Sequence, residues 1–255
     1  MFKDNEEYKD WRNYFFRKYK RKLPFKDYFI TDGVIDFDLY KDSSPHIMFL
    51  NKEAYDKDHT TYCLANTLRR KLDSKKKIFG KCNNLRCRLF QYSYITSLSK
   101  EDVLKLTPKK MKEQFEKTIK NNTELKYQIL KRCAYINVIK RDGHTTTEDE
   151  HLKEEYEKSK VLLFEQIEKI APNIVITGNI FNICLSKESG YEQIYPKNPK
   201  KKGVVNVYQF KFNKHKCLVF DTPHPSSTNA RGVSQSEYYV EFFKAYKEVL
   251  KDNLL

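Results

Sequence analysis

Five short apolar runs with helical patterns between them constrain the fold more than any other feature of this chain. They are HIMFL (46–50), AYINVI (134–139), NIVIT (173–177), VVNVYQF (204–210) and KCLVF (216–220). Their length and richness in β-branched and aromatic residues mark them as strands. Strands alternating with amphipathic helices pack most economically as a mostly parallel sheet covered on both faces. The expectation is therefore an α/β fold: three α/β/α layers around a central sheet of about four or five strands.

Two helices carry start signals. Thr147 and Glu150 have capping-box spacing ahead of HLKEEYEKSKVLLFEQIEKI, where Leu152, Tyr156, Leu163 and Ile167 share a face and Pro172 marks the end. Ser234 and Glu237 have the same spacing ahead of YYVEFFKAYKEVL, whose Tyr239, Phe242, Phe243, Tyr246 and Leu250 recur at helical intervals and read as core.

No internal repeat or long low-complexity tract divides the 255 residues, a length that suits one large domain. Residues 1–40, with WRNYFFRKYKRK, read as a basic N-terminal extension, and 76–130, with KKMKEQFEKTIKNNTELKYQILKR, as a basic helical insertion. Both are placed to enlarge a binding surface.

Lys and Arg number 49 against 34 Asp and Glu, a net charge of +15. Such an excess favours a polyanionic partner through counterion release, nucleic acid first, although a lysine-rich composition alone accounts equally well for the charge. No apolar run reaches membrane-span length and the N-terminus lacks a signal-peptide core, so the expectation is a cytoplasmic monomer with no membrane partner. Six cysteines (Cys63, Cys82, Cys87, Cys133, Cys184, Cys217) are scattered, and the lone Cys82–Cys87 spacing is a weak metal signal; reduced thiols and no metal are expected.

In an open α/β sheet, ligands bind at the carboxyl ends of the strands. After HIMFL come Asn51, Lys52, Glu53, Tyr55 and Asp56; AYINVI contains Asn137; Gly178 and Asn179 follow NIVIT; and KCLVF runs into DTPHPSST, with His224 between two prolines. A charged loop or a stiff turn alone would be ordinary, but an amide inside an apolar strand must find partners or cost stability. Together they offer one crevice a carboxylate, an amide, a glycine turn and an imidazole.

These residues resemble the uracil-DNA glycosylase superfamily. The match runs in order from FLNKEAY (49–55), through AYINVIKRDGHTTTEDEHLKEEYEKSKVLLFEQIEKIAPNIVITGNIFNI (134–183), to HPSS at 224. The middle segment is similar to the iron-sulfur branch. That branch has a cluster cysteine directly after the lysine of the Asn strand, where this chain has Arg141 after Lys140, so no cluster and no cofactor are expected. The first motif also lacks the family's glycine and proline, which leaves the catalytic carboxylate open between Glu53 and Asp56.

The resemblance implies a monofunctional, metal-free DNA glycosylase that excises a damaged or modified pyrimidine, uracil by default, after base flipping. Glu53 would steady the oxocarbenium-like sugar or orient water, and His224 would hydrogen-bond the departing base, a contact typically worth roughly 3 to 4 kcal/mol of barrier. Asn137 would read the base edge, and Tyr62 or Tyr55 would stack on it. Ser226, Ser227, Thr228, Asn229 and Arg231, with Gly178 and Asn179, would grip DNA. Three alternatives stay open: a relative excising a bulky modified cytosine from phage DNA in antiviral defence, a non-catalytic binder of modified DNA, and an RNA-binding α/β domain.

Overall fold

The structure is a computed structural model that describes residues 3–22, 29–55, 62–74, 85–119, 122–143, 148–198, 203–224, 227, 229–230 and 232–255. Among them, seven strands make the main sheet: β1 (Gly33–Val34), β2 (Ile47–Asn51), β3 (Cys133–Asn137), β4 (Ile174–Gly178), β5 (Glu192–Tyr195), β6 (Asn206–Phe212) and β7 (His215–Thr222). Their order is β1-β3-β2-β4-β7-β6-β5. The central four, β3-β2-β4-β7, run parallel, while β1 and β6 flank them antiparallel and β5 pairs antiparallel with β6. The expected four or five strands become seven because β1 is too short to show as an apolar run and β5, EQIY, is a polar edge strand.

The strands alternate their side chains between two helical layers, as the period of two requires. Ile47, Phe49, Cys133, Tyr135, Ile174, Ile176, Leu218 and Phe220 face one layer. It comprises α3 (Leu64–Asp73), α4 (Leu85–Ser97), α5 (Lys100–Lys105), α6 (Pro108–Gln114), α7 (Thr123–Lys131) and α9 (Tyr238–Lys251). Met48, Leu50, Ala134, Ile136, Val175 and Val219 face the other. There lie α1 (Asn5–Lys22), α2 (Phe37–Lys41) and α8 (Asp149–Ile170). The apolar residues expected on the inner faces of α8 and α9 are all buried in these two cores, and each large side chain so buried contributes about 1.5–3 kcal/mol.

Helix ends differ from the sequence reading. Glu148 is the N-cap of α8 and makes no side-chain cap bond, and Thr147 lies outside the described residues. Ser234 belongs to a two-stranded ribbon, Asn229–Ala230 with Val233–Ser234, and bonds Ser236; Glu237 holds the N-cap of α9 without a side-chain cap. A carboxylate near a helix start compensates the macrodipole without a bonded cap. The end of α8 falls at Ala171, in a left-handed conformation (φ 53°), one residue before Pro172.

The N-terminal region is built into the second layer. Lys18 pairs with Glu165 of α8 at 2.9 Å, and Tyr19 donates to the Ser159 carbonyl. The Val34 N–H donates to the Tyr8 hydroxyl at 2.7 Å, and at Gly33 (φ 137°) any Cβ would collide with that hydroxyl. Next to Gly33, the fully buried Asp32 accepts from Lys140 Nζ (2.7 Å), Gln166 Nε2 (2.9 Å) and the backbone N–H of Asn137 (2.7 Å). This carboxylate ties the segment before β1 to the end of β3 and to α8.

Candidate functional site

The parallel register brings the predicted site residues to one end of the sheet. Asn51 pairs with Asn137, Leu50 with Thr177, and Thr222 with Gly178. One step beyond the Leu50–Thr177 pair, Asn51 stands opposite Gly178. The last row across the four central strands is therefore Asn137, Asn51, Gly178, Thr222: two amides, a position without a side chain, and a hydroxyl. Alternation places all three side chains on the face covered by α4 and α9.

Asn137 is fully buried, and Asn51 nearly so at 5 % exposure. Neither amide group of Asn137 nor Nδ2 of Asn51 has a hydrogen-bond partner among the described residues. Buried polar groups are otherwise almost always paired, so adjacent bare amides mark a place where a ligand can complete the bonds. The Asn137 backbone is itself held by Asp32, which fixes where the amide stands.

Beyond the row, backbone bonds close the crevice. The N–H groups of Val138 and Ile139 donate to the carbonyls of Asn51 and Lys52, carrying the β2–β3 pairing past the strand ends. Asn179, left-handed at φ 62°, donates its N–H to the Thr222 carbonyl. The Ser227 N–H donates to the His224 carbonyl at 2.8 Å. A cavity of about 220 Å³ lies there, lined by Asn179, Asp221, Thr222, Pro223, His224 and Ser227.

Burial lowers the His224 pKa below its ordinary 6.5, and the nearby Lys52 ammonium lowers it further. The imidazole is neutral at pH 7 and presents one N–H and one lone pair. Lys52 follows the end of β2 and His224 the end of β7, at the same end of the parallel sheet. Lys52 in turn pairs with Asp149 at 3.3 Å. Glu53, half-buried and engaged with a partner, stands directly after β2 on the same rim.

The remaining sequence candidates are placed as follows. Tyr55 pairs by its backbone with Gly143, and Tyr62 with Ile30, whose N–H donates to the Lys140 carbonyl just past β3. Asn229 is in the ribbon with Ser234. The side chains of Tyr55, Tyr62 and Asn229 lie outside the described residues, as do Asp56, Ser226, Thr228 and Arg231 entirely. Among the described residues, no group of three or more His, Cys, Asp or Glu side chains is arranged to hold a metal. Cys133 and Cys184 are buried, which pushes each thiol up to about 12. No described helix is long and apolar enough to cross a membrane.

Sequence reasoning gave no role to Asn51, although the signal was present: it ends HIMFL as a polar residue on an apolar run. It also missed Arg88, 5 % exposed on α4, because an arginine in LRCRLFQYSYITS reads as a solvent-facing residue. No protein-family model matches the chain and no curated protein matches it, so the functional reading rests on the geometry of this strand-end row.

Proposed function

We propose that the chain is a DNA glycosylase that hydrolyses the N-glycosidic bond of a flipped-out pyrimidine and leaves an abasic site. What supports the reading is the strand-end row: two buried amides with three atoms unpartnered among the described residues, a gap at Gly178, and a neutral imidazole just beyond Thr222. A pyrimidine edge offers the alternating donors and acceptors that such amides satisfy.

The chemistry needs opposite charges stabilised at two places. As the C1′–N bond breaks, positive charge builds on the sugar and negative charge on the base. His224, neutral and with its carbonyl bonded by the Ser227 N–H, donates its N–H to the base oxygen where that charge collects. Glu53 accepts a proton from water as the water oxygen bonds C1′, and the departing base is protonated in exchange. Ser227, with Asn179 at the rim, supplies polar contacts for the flanking backbone.

One observation favours a second reading. A single amide suffices for the edge of uracil; Asn51 adds another beside it, which suits a pyrimidine with a further polar substituent, such as the modified cytosines of phage DNA. The test is to incubate the protein with oligonucleotides carrying one uracil, and with modified phage DNA, and to score alkali-labile abasic sites. His224→Ala should lower turnover by about 10²–10³ while leaving DNA affinity intact. Abasic sites from neither substrate, with DNA affinity retained, would make the chain a binder of unusual DNA instead.

A further inference from the structure

We infer that Arg88 on α4, with the phenols of Tyr92, Tyr238 and Tyr239, forms an oxyanion-binding subsite that takes a phosphate group beside the strand-end row. Arg88 is 5 % exposed, yet no carboxylate among the described residues forms an ion pair with it. Among the described residues its one hydrogen bond runs from Nη1 to Gln91 Oε1 at 2.6 Å, and Nε has no partner. A guanidinium taken out of water without an anion is among the costliest arrangements a fold can hold, and a fold that keeps one needs a use for it.

The neighbours suit a ligand with several acceptor oxygens. The hydroxyls of Tyr92, Tyr238 and Tyr239 are buried and unpartnered among the described residues. Burial raises the Tyr92 phenol well above its ordinary range, with Thr222 and then Arg88 pulling the other way, and Tyr239 is pushed up to about 12. The Tyr92 and Tyr239 phenols therefore stay protonated and can donate. Carboxylates also act on Tyr239, namely Glu116 and Glu237, but Glu237 pairs with Lys112 at 3.3 Å. A planar guanidinium with three phenolic donors matches a phosphate, which offers oxygens on several sides.

Tyr92 connects this cluster to the site. It feels both Arg88, one turn earlier on α4, and Thr222, the last residue of the row. The source of the phosphate is then the substrate strand, and only that source rests on the glycosylase reading; a free phosphate ester would satisfy the same chemistry.

Arg88→Met tests the assignment through two readouts that move in opposite directions. If the guanidinium serves a ligand, the variant melts at or above the wild-type temperature, because an uncompensated buried charge has been replaced by an apolar chain. It should also bind a single-stranded oligonucleotide roughly tenfold more weakly, with the salt dependence of log K shallower by about one. Arg88→Lys, which keeps the charge, should recover part of the affinity. Inorganic phosphate in parallel separates the sources: a wild-type melting shift with phosphate alone points to a free phosphate ester, and a shift with oligonucleotide points to the strand. A variant that melts lower or fails to fold shows that Arg88 is structural and overturns the inference, as does an unchanged affinity and salt slope. Abasic-site formation is scored separately, so loss of the glycosylase reading leaves this result interpretable.

Discussion

The two helical layers bury polar groups in opposite ways. On the α8 side, Asp32 satisfies Lys140, Gln166 and the Asn137 backbone, Asp221 accepts from Thr177 and Phe181, and Tyr156 donates to Glu188 at 3.0 Å. On the α4 and α9 side, Asn51, Asn137, Arg88, Tyr92, Tyr238 and Tyr239 all carry buried atoms without partners among the described residues. Seven of the eight such atoms lie on this second side, the exception being Gln166 Oε1. Both layers have dense apolar cores, so poor packing does not separate them. On the proposed reading, the α8 layer holds the candidate site still, and the α4–α9 layer keeps donors and acceptors in reserve for a ligand. Stability is therefore expected to depend on polar pairing on one side, and function on polar exposure to ligand on the other.

The largest expected effect comes from breaking a pair on the α8 side. Asp32→Asn leaves the Lys140 ammonium, itself fully buried, without its charge partner. Losing one member of a buried pair typically costs about 3–5 kcal/mol, a large fraction of a domain's stability. Urea denaturation should show that loss, and the double variant Asp32→Asn with Lys140→Met should regain part of it. A cost below about 1 kcal/mol for the single variant would erase the contrast between the layers.

On the other side the balance reverses. Asn137→Leu removes two polar atoms that have no partner among the described residues and fills the row with apolar volume, so denaturation should be displaced by less than about 1 kcal/mol in either direction. Base release should nevertheless fall by about 10- to 100-fold, since a bidentate base contact is worth about 1–3 kcal/mol. Asn51→Leu should do the same to a smaller degree with uracil and a larger one with a substituted pyrimidine. Paired stability and turnover measurements decide the matter: a variant that loses stability and activity together would show that the amides belong to the core.

Much of this division was legible in the chain, and the unreadable part has a physical cause. The apolar runs gave the four central strands, and the rule for parallel sheets gave their carboxyl ends as the candidate site, so Asn137, Gly178 and His224 were singled out before their geometry was known. Register could not be read, because apolar runs of similar composition fit several alignments. Without it, Asn51 was one polar residue in a charged loop rather than the neighbour of Asn137. Short antiparallel partners such as Gly33–Val34 carry no period of their own. Burial of Arg88 is decided by α7 and α9 packing around α4, and local sequence holds no trace of that. The caps of α8 and α9 differed because hydroxyl-to-carboxylate spacing recurs by chance in a chain this rich in Glu.

The smallest effect concerns two histidines at opposite ends of the sheet. His46, at the start of β2 and stacked on Tyr40, and His224, beyond the end of β7, both have pKa values lowered first by burial. In the unfolded chain each titrates near 6.5. Between that value and the lowered one, the unfolded state holds more protons than the folded state, so stability rises with pH across the window and is lost as the solution is acidified through it. His46→Gln and His224→Gln should each flatten this acid slope in melting experiments from pH 7 to 5. Only His224→Gln should also alter the pH dependence of base release, because only that imidazole stands at the strand-end crevice, with Lys52 opposing its protonation. Equal effects of both substitutions on the rate profile would mean that acid acts through the fold rather than the site, and would remove the leaving-group role from His224.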